Sequence, residues 1–218
     1  MPRELELTTD ELLSTTRAVR KRLDLAREVP LEIIEECLEL AVQAPSGSNR
    51  QGWHWVVVTD SGKRAALGEL YRKAFDEYAA SPHFPGNQLT GEAEADESRR
   101  RIADSARYLA DRMGEVPVLV VPCLAGRVDN AASAQSASYW GSLFPAAWSF
   151  CLAARSRGLG TSWTTLHLRY ERDAAEILGI PYDKVSQGAL LPVAYTKGTD
   201  FKPATRTDLD SIVHIDAW

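Results

Sequence analysis

Ala44-Pro45-Ser46-Gly47-Ser48-Asn49-Arg50-Gln51-Gly52-Trp53-His54-Trp55-Val56-Val57-Val58 decides how the rest of the chain is read. Its first half is turn chemistry. Proline fixes φ, glycine opens the left-handed region, and serine and asparagine side chains bond back to the backbone. Its second half, from Gly52 to Thr59, is aromatic and β-branched and closes on Asp60-Ser61-Gly62, the composition of a buried strand. A polar loop offering a hydroxyl, free backbone N–H groups and an amide therefore feeds a strand. Such a loop can bind the polar edge of a ring, or it can simply stop a helix.

Upstream, Pro30 opens a helix whose apolar residues Leu31, Ile34, Leu38 and Ala41, with Ile33 and Cys37 beside them, recur at helical spacing. An earlier helix is expected over Thr8 to Arg22, opened by the capping box Thr8-x-x-Glu11 and turning basic at Arg17, Arg20, Lys21 and Arg22. Downstream, residues 63–80 read as helix and His83 to Thr90 as a flexible lid or loop. Residues 91–112 place acids before bases, as the dipole of a solvated helix prefers. Val116 to Leu124 is a second buried strand. Residues 136–157, centred on SLFPAAWSFCLAAR, form a long segment that is apolar on nearly all sides and must be buried, centrally or against another subunit. Pro145 is expected near its first turn or at a bend, and Gly158-Leu159-Gly160 ends it. Strands are then expected over Thr161 to Thr165 and Lys184 to Tyr195, with a short helix around 171–178 between them and a last strand over Ser211 to Ile215. No internal repeat or linker interrupts this, so a single domain over residues 1–218 is the expectation.

Composition sets the boundaries of function. Lys plus Arg is 25 against 30 Asp plus Glu, a formal net charge of −5, so the chain has no general attraction to nucleic acid or to anionic lipid. The apolar share of 44% is ample for a core without disulfide staples. Cys37, Cys123 and Cys151 are far apart and inside apolar stretches, which points to a reduced setting and away from zinc. The opening MPRELELTTDELL is charged and lacks a signal-peptide core, and no apolar run approaches a membrane span. A cytoplasmic setting is expected.

Familiar catalytic signatures are missing: no GxGxxG, no GxxxxGK[ST], no GxSxG and no HExxH. By residue type His54, His83, His167 and His214 read as structural or solvent-facing. What remains is a set of arginines and polar turns. Arg17 and Arg20 are three apart, which on a helix is one face, and Arg206 lies far along the chain in a loop. A phosphate monoester needs two or more such cations from different elements, although solvated surface arginines would look the same in sequence. Trp163-Thr164-Thr165 at a strand end offers a flat ring and two hydroxyls, or a core tryptophan with β-branched neighbours.

In order, the pieces T-R-A-V-R at 16–20, APSGSNRQGWHWVVV at 44–58, GLGTSWTTLHL at 158–168 and Arg206-Thr207-Asp208-Leu209-Asp210 resemble the nitroreductase-like FMN flavoproteins over nearly the whole chain. The resemblance implies an α+β fold with a central mixed, mainly antiparallel sheet flanked by helices, in an intertwined homodimer with FMN at the interface. The 136–157 helix would be the central dimer helix, residues about 63–112 a variable lid, and the extension from about 205 to 218 an arm around the partner. It implies FMN-binding roles for Arg17, Ala18, Arg20, Pro45, Ser46, Gly47, Asn49, Trp163, Thr164, Thr165 and Arg206. Arg17 and Arg206 would hold the phosphate, Arg20 would lie near the pyrimidine, Pro45 to Asn49 would approach from the second subunit, and Trp163 to Thr165 would lie near N5. Thr16 and Ala18 replace the first arginine and the serine of the family's R-R-S-x-R motif. The implied activity is NAD(P)H-dependent reduction of an electron-poor acceptor, such as a nitroaromatic or quinone, by ping-pong transfer through FMN. No protein nucleophile is needed, since the chemistry is the cofactor's. Reductive dehalogenation or flavin fragmentation on the same scaffold, a flavin-binding protein without turnover, and a plain scaffold without cofactor are the rival readings.

Overall fold

A computed structural model describes residues 4–218. Helix α1 (Thr9–Thr15) has the expected capping box, with the Thr8 side chain accepting from Glu11 N and the Glu11 carboxylate accepting from Thr8 N. It stops at Thr16 and does not run to Arg22. Two local contacts and one distant one explain the early stop. The hydroxyls of Thr15 and Thr16 donate back to the carbonyls of Glu11 and Leu12, both at 2.6 Å, which competes with helix continuation. The chain then turns extended, Ala18 forms a parallel bridge with Thr161, and Val19 N donates to Thr161 O at 2.8 Å. Arg17 and Arg20 therefore do not share a helical face.

Helix α2 (Leu31–Ala41) follows Pro30 and buries Ile33, Ile34, Cys37 and Ala41, leaving Leu31 exposed. Strand β1 (Trp53–Val58) pairs antiparallel with β2 (Val118–Ala125), Trp53 opposite Leu124 and Val58 opposite Leu119. Between them come α3 (Ser61–Ala79), capped by the Asp60 side chain on Lys63 N at 2.8 Å, and α4 (Ala93–Arg112). The expected lid loop before α4 is docked: Phe84 packs edge-on against Phe75 and Tyr78 with centroids 5.7 and 5.4 Å apart. After β2 comes α5 (Ser133–Ser156), with Pro145 well inside it and not near its first turn. Gly158, at φ 74°, supplies the left-handed step that ends this helix. Strand β3 (Leu159–Thr161), α6 (Glu171–Leu178), β4 (Val185–Gln187) and β5 (Leu191–Tyr195) complete the elements.

The sheet order is β1-β2-β5-β3, with β4 also paired to β2. All strand pairs are antiparallel, and the Ala18–Thr161 bridge supplies the parallel contact. Three expected strands are corrected. The 161–165 strand ends at Thr161 and begins at Leu159. The 184–195 strand divides at a bulge: Gly188 N still meets Pro122 O of β2 at 2.8 Å, but residues 188–190 stand opposite Val121 and Pro122 alone, and Leu190 N turns to Thr164 O at 2.8 Å. Ser211 to Ile215 is not a strand: a short 3-10 turn (Leu209–Ser211) stands there, exposed, with Asp208 accepting from Asp210 N and Ser211 Oγ at its start.

Side-chain alternation along β2 divides the core. Leu119, Val121 and Cys123 face a cluster with Leu67, Tyr71 and Phe75 of α3 and Leu109 of α4. Val118 and Val120 face the other way, toward Ile33, Ile34 and Cys37 of α2 and Phe150, Cys151 and Ala154 of α5. The sheet is thus covered on both faces. Among the described residues no helix is long and apolar enough to cross a membrane.

Candidate functional site

The amino-terminal segment lies along the outer edge of β3, and Gly160 makes that possible. A Cβ there would sit 2.9 Å from Val19 Cβ and 2.7 Å from Thr196 Cγ2. From this edge the basic side chains reach in two directions. Arg17 Nη1 donates to Lys202 O at 3.0 Å, and Arg22 reaches Lys197 O and Asp200. Arg20 Nη1 donates to Ser105 Oγ on α4 at 3.4 Å, and Lys21 pairs with Asp104 of the same helix. The segment so joins the C-terminal stretch to α4. Among the described residues neither Arg17, Arg20 nor Arg206 has a carboxylate partner.

Trp163 to Thr165 leave β3 on the same side of the sheet edge. Trp163 is half-buried and meets Phe144 of α5 edge-on at 5.4 Å. Thr164 is buried, and its hydroxyl is committed to Leu190 O at 2.6 Å. Thr165 is exposed, its carbonyl opening the following 3-10 turn (Leu166–Tyr170) through Leu168 N. Of the two hydroxyls, Thr165 is the one free to meet a ligand.

The loop from Pro45 to Asn49 lies elsewhere, against the first half of α5. Gly47 N donates to Ser142 Oγ at 2.9 Å, Ser142 Oγ donates to Ser138 O at 2.9 Å, and Trp53 Nε1 donates to Ser142 O at 2.6 Å. Ser46 Oγ accepts from Gln51 N, and Asn49 Oδ1 accepts from Gln51 Nε2 at 2.8 Å. Ser48, Asn49 and Gln51 stand at φ 54°, 51° and 50°. Three non-glycine residues in the left-handed region within four positions is concentrated backbone strain of the kind found at ligand-binding turns. The loop forms one wall of a cavity of about 590 Å³, with Arg127, Tyr139 and Ser142 on the others.

Arg206 is exposed, its Nη1 on the carbonyl of its own neighbour Thr205 at 3.3 Å. Beyond it Leu209, Ile212, Val213, Ile215 and Trp218 are all half or more exposed. Within one chain the fold thus pairs Ala18, between Arg17 and Arg20, with Thr161, just before Trp163, Thr164 and Thr165. Pro45, Ser46, Gly47 and Asn49 are held at another place, and Arg206 joins neither group.

Three residues escaped the sequence reading. Ser105 and Ser142 carry no sequence signal, because each gains its role from a contact far along the chain. Arg155 did carry one: a charge one turn after Cys151 and two after Ala147, on a helical line that is otherwise buried. Burial, and then the charge of Arg22, lower its pKa. Among the histidines, His167 is fully buried and burial pushes its pKa down to about 3, whereas the other three are exposed. The three cysteines are free and buried, with thiols pushed up to about 12, 12 and 11 for Cys37, Cys123 and Cys151.

An α+β protein with unpaired arginines where its amino-terminal segment meets the sheet edge, and a strained polar loop against its longest helix, is the class so defined. The chain belongs to the nitroreductase family, whose profile matches residues 13–195. A putative NADH dehydrogenase/NAD(P)H nitroreductase of Archaeoglobus fulgidus is 27% identical over 211 residues, 95% of this chain and 97% of that protein. A 4-nitrobenzoate reductase of Nocardioides sp. is 40% identical over 63 residues, which span 29% of this chain and only 25% of that relative. Among solved structures, an FMN- and NADPH-dependent nitroreductase from Sphigopyxis sp. strain HMH matches with TM-score 0.68 at 20% identity, over 97% of this chain and 100% of that one. An iodotyrosine deiodinase bound to FMN and 3-iodo-L-tyrosine matches with TM-score 0.69 at 22% identity, over 96% and 99%.

Proposed function

We propose that the protein is an FMN-dependent oxidoreductase that uses NAD(P)H to reduce an electron-poor small molecule, such as a nitroaromatic or quinone. The observation that carries this reading is the juxtaposition made by the Ala18–Thr161 bridge. It seats the backbone between two arginines without carboxylate partners on Thr161, two residues before a half-buried tryptophan and four before an exposed threonine. The donor set fits the cofactor. A phosphate monoester asks for forked cationic donors, and a flavin ring asks for a flat wall and a hydrogen-bond donor at its edge. Arg17 spends one N–H on Lys202 O and keeps the rest of its fork.

When bound, FMN supplies two-electron transfer between the nicotinamide and the acceptor. The protein's part is placement and electrostatics. Arg17, with Arg206 once the tail is in place, would hold the phosphate. Arg20 would supply the cation at the pyrimidine side of the ring, where positive charge favours the negative charge that accompanies reduction. Thr165, or a backbone N–H beside it, would supply the donor near N5. The contact from Ser105 to Arg20 couples α4 to that cation.

The second half of the site comes from a second copy. Trp140, Phe144 and Trp148 form a stripe at i, i+4 and i+8 along α5. Trp140 and Phe144 stack at 5.2 Å, and Phe144 and Trp148 are 39% and 41% exposed. Antiparallel pairing of two α5 helices about this stripe would bring the partner's Pro45–Asn49 loop, which docks near the middle of its own helix at Ser142, against the second half of this one. The exposed apolar tail supports the same homodimer. A cytoplasmic setting is supported by the three free, buried thiols.

The absorption spectrum of the purified protein, followed by anaerobic titration with NADH and NADPH, tests the reading. A yellow protein bleached by nicotinamide and recoloured by a nitroaromatic or quinone is expected. Bound flavin that no nicotinamide bleaches would leave a carrier, and a chain that takes up no flavin would end the proposal.

A further inference from the structure

The cavity beside the Pro45–Asn49 loop holds a cation that the fold leaves uncommitted. Its walls come from residues 46–52, from the end of β2 with the turn to Val128, and from the first half of α5. At about 590 Å³ it has room for a substituted aromatic ring, and none of its lining residues is an acid. Two arginines line it. Arg127 is already neutralised, its fork held by Asp129 and Glu171. Arg50 is exposed, and among the described residues its side chain has no hydrogen bond, ion pair or ring contact. Its backbone, by contrast, is fixed. Arg50 N donates to Gly47 O at 3.2 Å, and Gly47 N is tied to Ser142 Oγ at 2.9 Å.

One uncompensated cation among neutral groups suits a single negative charge. A phosphate monoester asks for two or more forked cations, and with Arg127 paired this cavity offers one. Leu124 and Val128 add apolar wall that an aromatic ring can use. We propose that Arg50 selects acceptors that bear a carboxylate, that is, electron-poor aromatic acids. This rests on the functional reading above, in which the loop ending one residue before Arg50 approaches the flavin of a second copy. The carboxylate is a handle and does not react. Two electrons and two protons, supplied by NAD(P)H and a solvent proton through the cofactor, convert a nitro group to nitroso with release of water. A handle remote from the reacting bond is held alike before and during reduction, so Arg50 acts on KM and leaves kcat alone.

Binding is separated from turnover by benzoate, which carries the carboxylate and nothing reducible, and by benzamide, its neutral counterpart. Each is titrated calorimetrically into the flavin-loaded wild type, Arg50→Met and Arg50→Lys. The expected result is a preference for benzoate that falls about 10-fold in Arg50→Met, the lower end for a hydrogen bond to a charged group, and is partly kept in Arg50→Lys. With 4-nitrobenzoate and 4-nitrobenzamide as acceptors, the ratio of kcat/KM values should fall by the same factor, the change lying in KM. Added salt should shrink the wild-type preference, because Arg50 is exposed. An unaltered ratio in Arg50→Met, or a wild type with no preference for the acid, overturns the inference. Equal loss of both ligands also overturns it and gives Arg50 a structural part. A loss confined to NADPH relative to NADH overturns it too, and moves Arg50 to the phosphate of the donor. In all these cases flavin that nicotinamide still bleaches leaves the functional reading standing, whereas a chain that takes up no flavin overturns both.

Discussion

Gly47 N donates to Ser142 Oγ at 2.9 Å, and Arg155 lies on the same helix about 20 Å further along its axis at 1.5 Å per residue. Through Thr15, to which Arg155 donates at 3.3 Å, the far end of that helix meets the start of the basic segment, so the Pro45–Asn49 loop and that segment dock at different points along α5 in a single chain. We propose that assembly of two copies brings them together. We expect light scattering to give twice the 24.1 kDa chain mass even at sub-micromolar concentration, because obligate interfaces are core-like and bury about 2,000 Å² or more. Replacing Phe144 and Trp148 together with Glu should yield a monomer that no longer retains flavin. A wild-type monomer loaded with flavin would defeat this account.

A subtler dependence concerns the seat of the basic segment. The Gly160→Ala substitution forces a methyl to within 2.9 Å of Val19 Cβ and 2.7 Å of Thr196 Cγ2. Overpacking of this kind costs roughly 1–3 kcal/mol, measurable as a lower urea midpoint. Because Val19 sits between Arg17 and Arg20, the relief of that clash should also displace both arginines and lower flavin content at a given FMN concentration. Unchanged stability and unchanged loading together would show that the edge contact is looser than drawn.

Much of the fold was open to sequence reasoning wherever the signal was local. The β1 and β2 strands, α2 and α6 follow from apolar periodicity and from Pro30, Gly158 and the polar stops, and the 44–52 loop is where its turn residues place it. What was not open depends on distant partners. Nothing within residues 16–22 announces that Val19 will bond Thr161, and helical spacing was a fair expectation until that contact existed. The strand after Gln187 breaks because Leu190 bonds to the distant Thr164 and leaves one extra residue bulging against β2. The site divides the same way. Arg17, Arg20 and the Pro45 loop stood out by residue type and order, whereas Ser142 and Ser105 became visible only through their tertiary contacts.

The turn that leads into α4 carries its own pH dependence. Asp96 accepts from Thr90 N at 2.7 Å and Gly91 N at 3.0 Å, and the Thr90 backbone hydrogen bond is the main reason its carboxyl is held below the usual range. A depressed folded-state pKa means the stabilisation is fully present above the ordinary carboxylate value near 4 and is lost as pH falls through the lowered one. Asp96→Asn should therefore weaken amide protection at Thr90 and Gly91 at pH 7. The difference from wild type should close as the wild type is taken into acid. A gap that persists undiminished at the lowest pH at which the protein stays folded would assign the effect to something other than this charge.

Arg17 and Arg206 should fail differently from Arg20. A cation on the phosphate acts equally on oxidised and reduced FMN, which is uniform binding. Arg17→Ala and Arg206→Ala should each lower FMN affinity by roughly 1.5–3 kcal/mol, about 10- to 150-fold, while flavin that stays bound is reduced at a near-normal rate. For Arg206, exposed and bonded only to Thr205 O, the effect further requires that the tail be docked, so deleting residues 207–218 should lower FMN affinity in the same way. A cation at N1 and C2=O instead favours the reduced state. Arg20→Ala should lower the midpoint potential and slow anaerobic reduction by NAD(P)H at full FMN loading, about 30 mV for the two-electron couple corresponding to roughly 1.4 kcal/mol. Ser105→Ala removes the 3.4 Å contact that holds Arg20 toward α4 and should shift the potential in the same direction by less. Each variant is saturated with FMN and measured for potential and for reduction rate. An unchanged potential in Arg20→Ala, with weakened FMN binding, would move that side chain from the ring to the phosphate and leave Ser105 without a part in redox tuning.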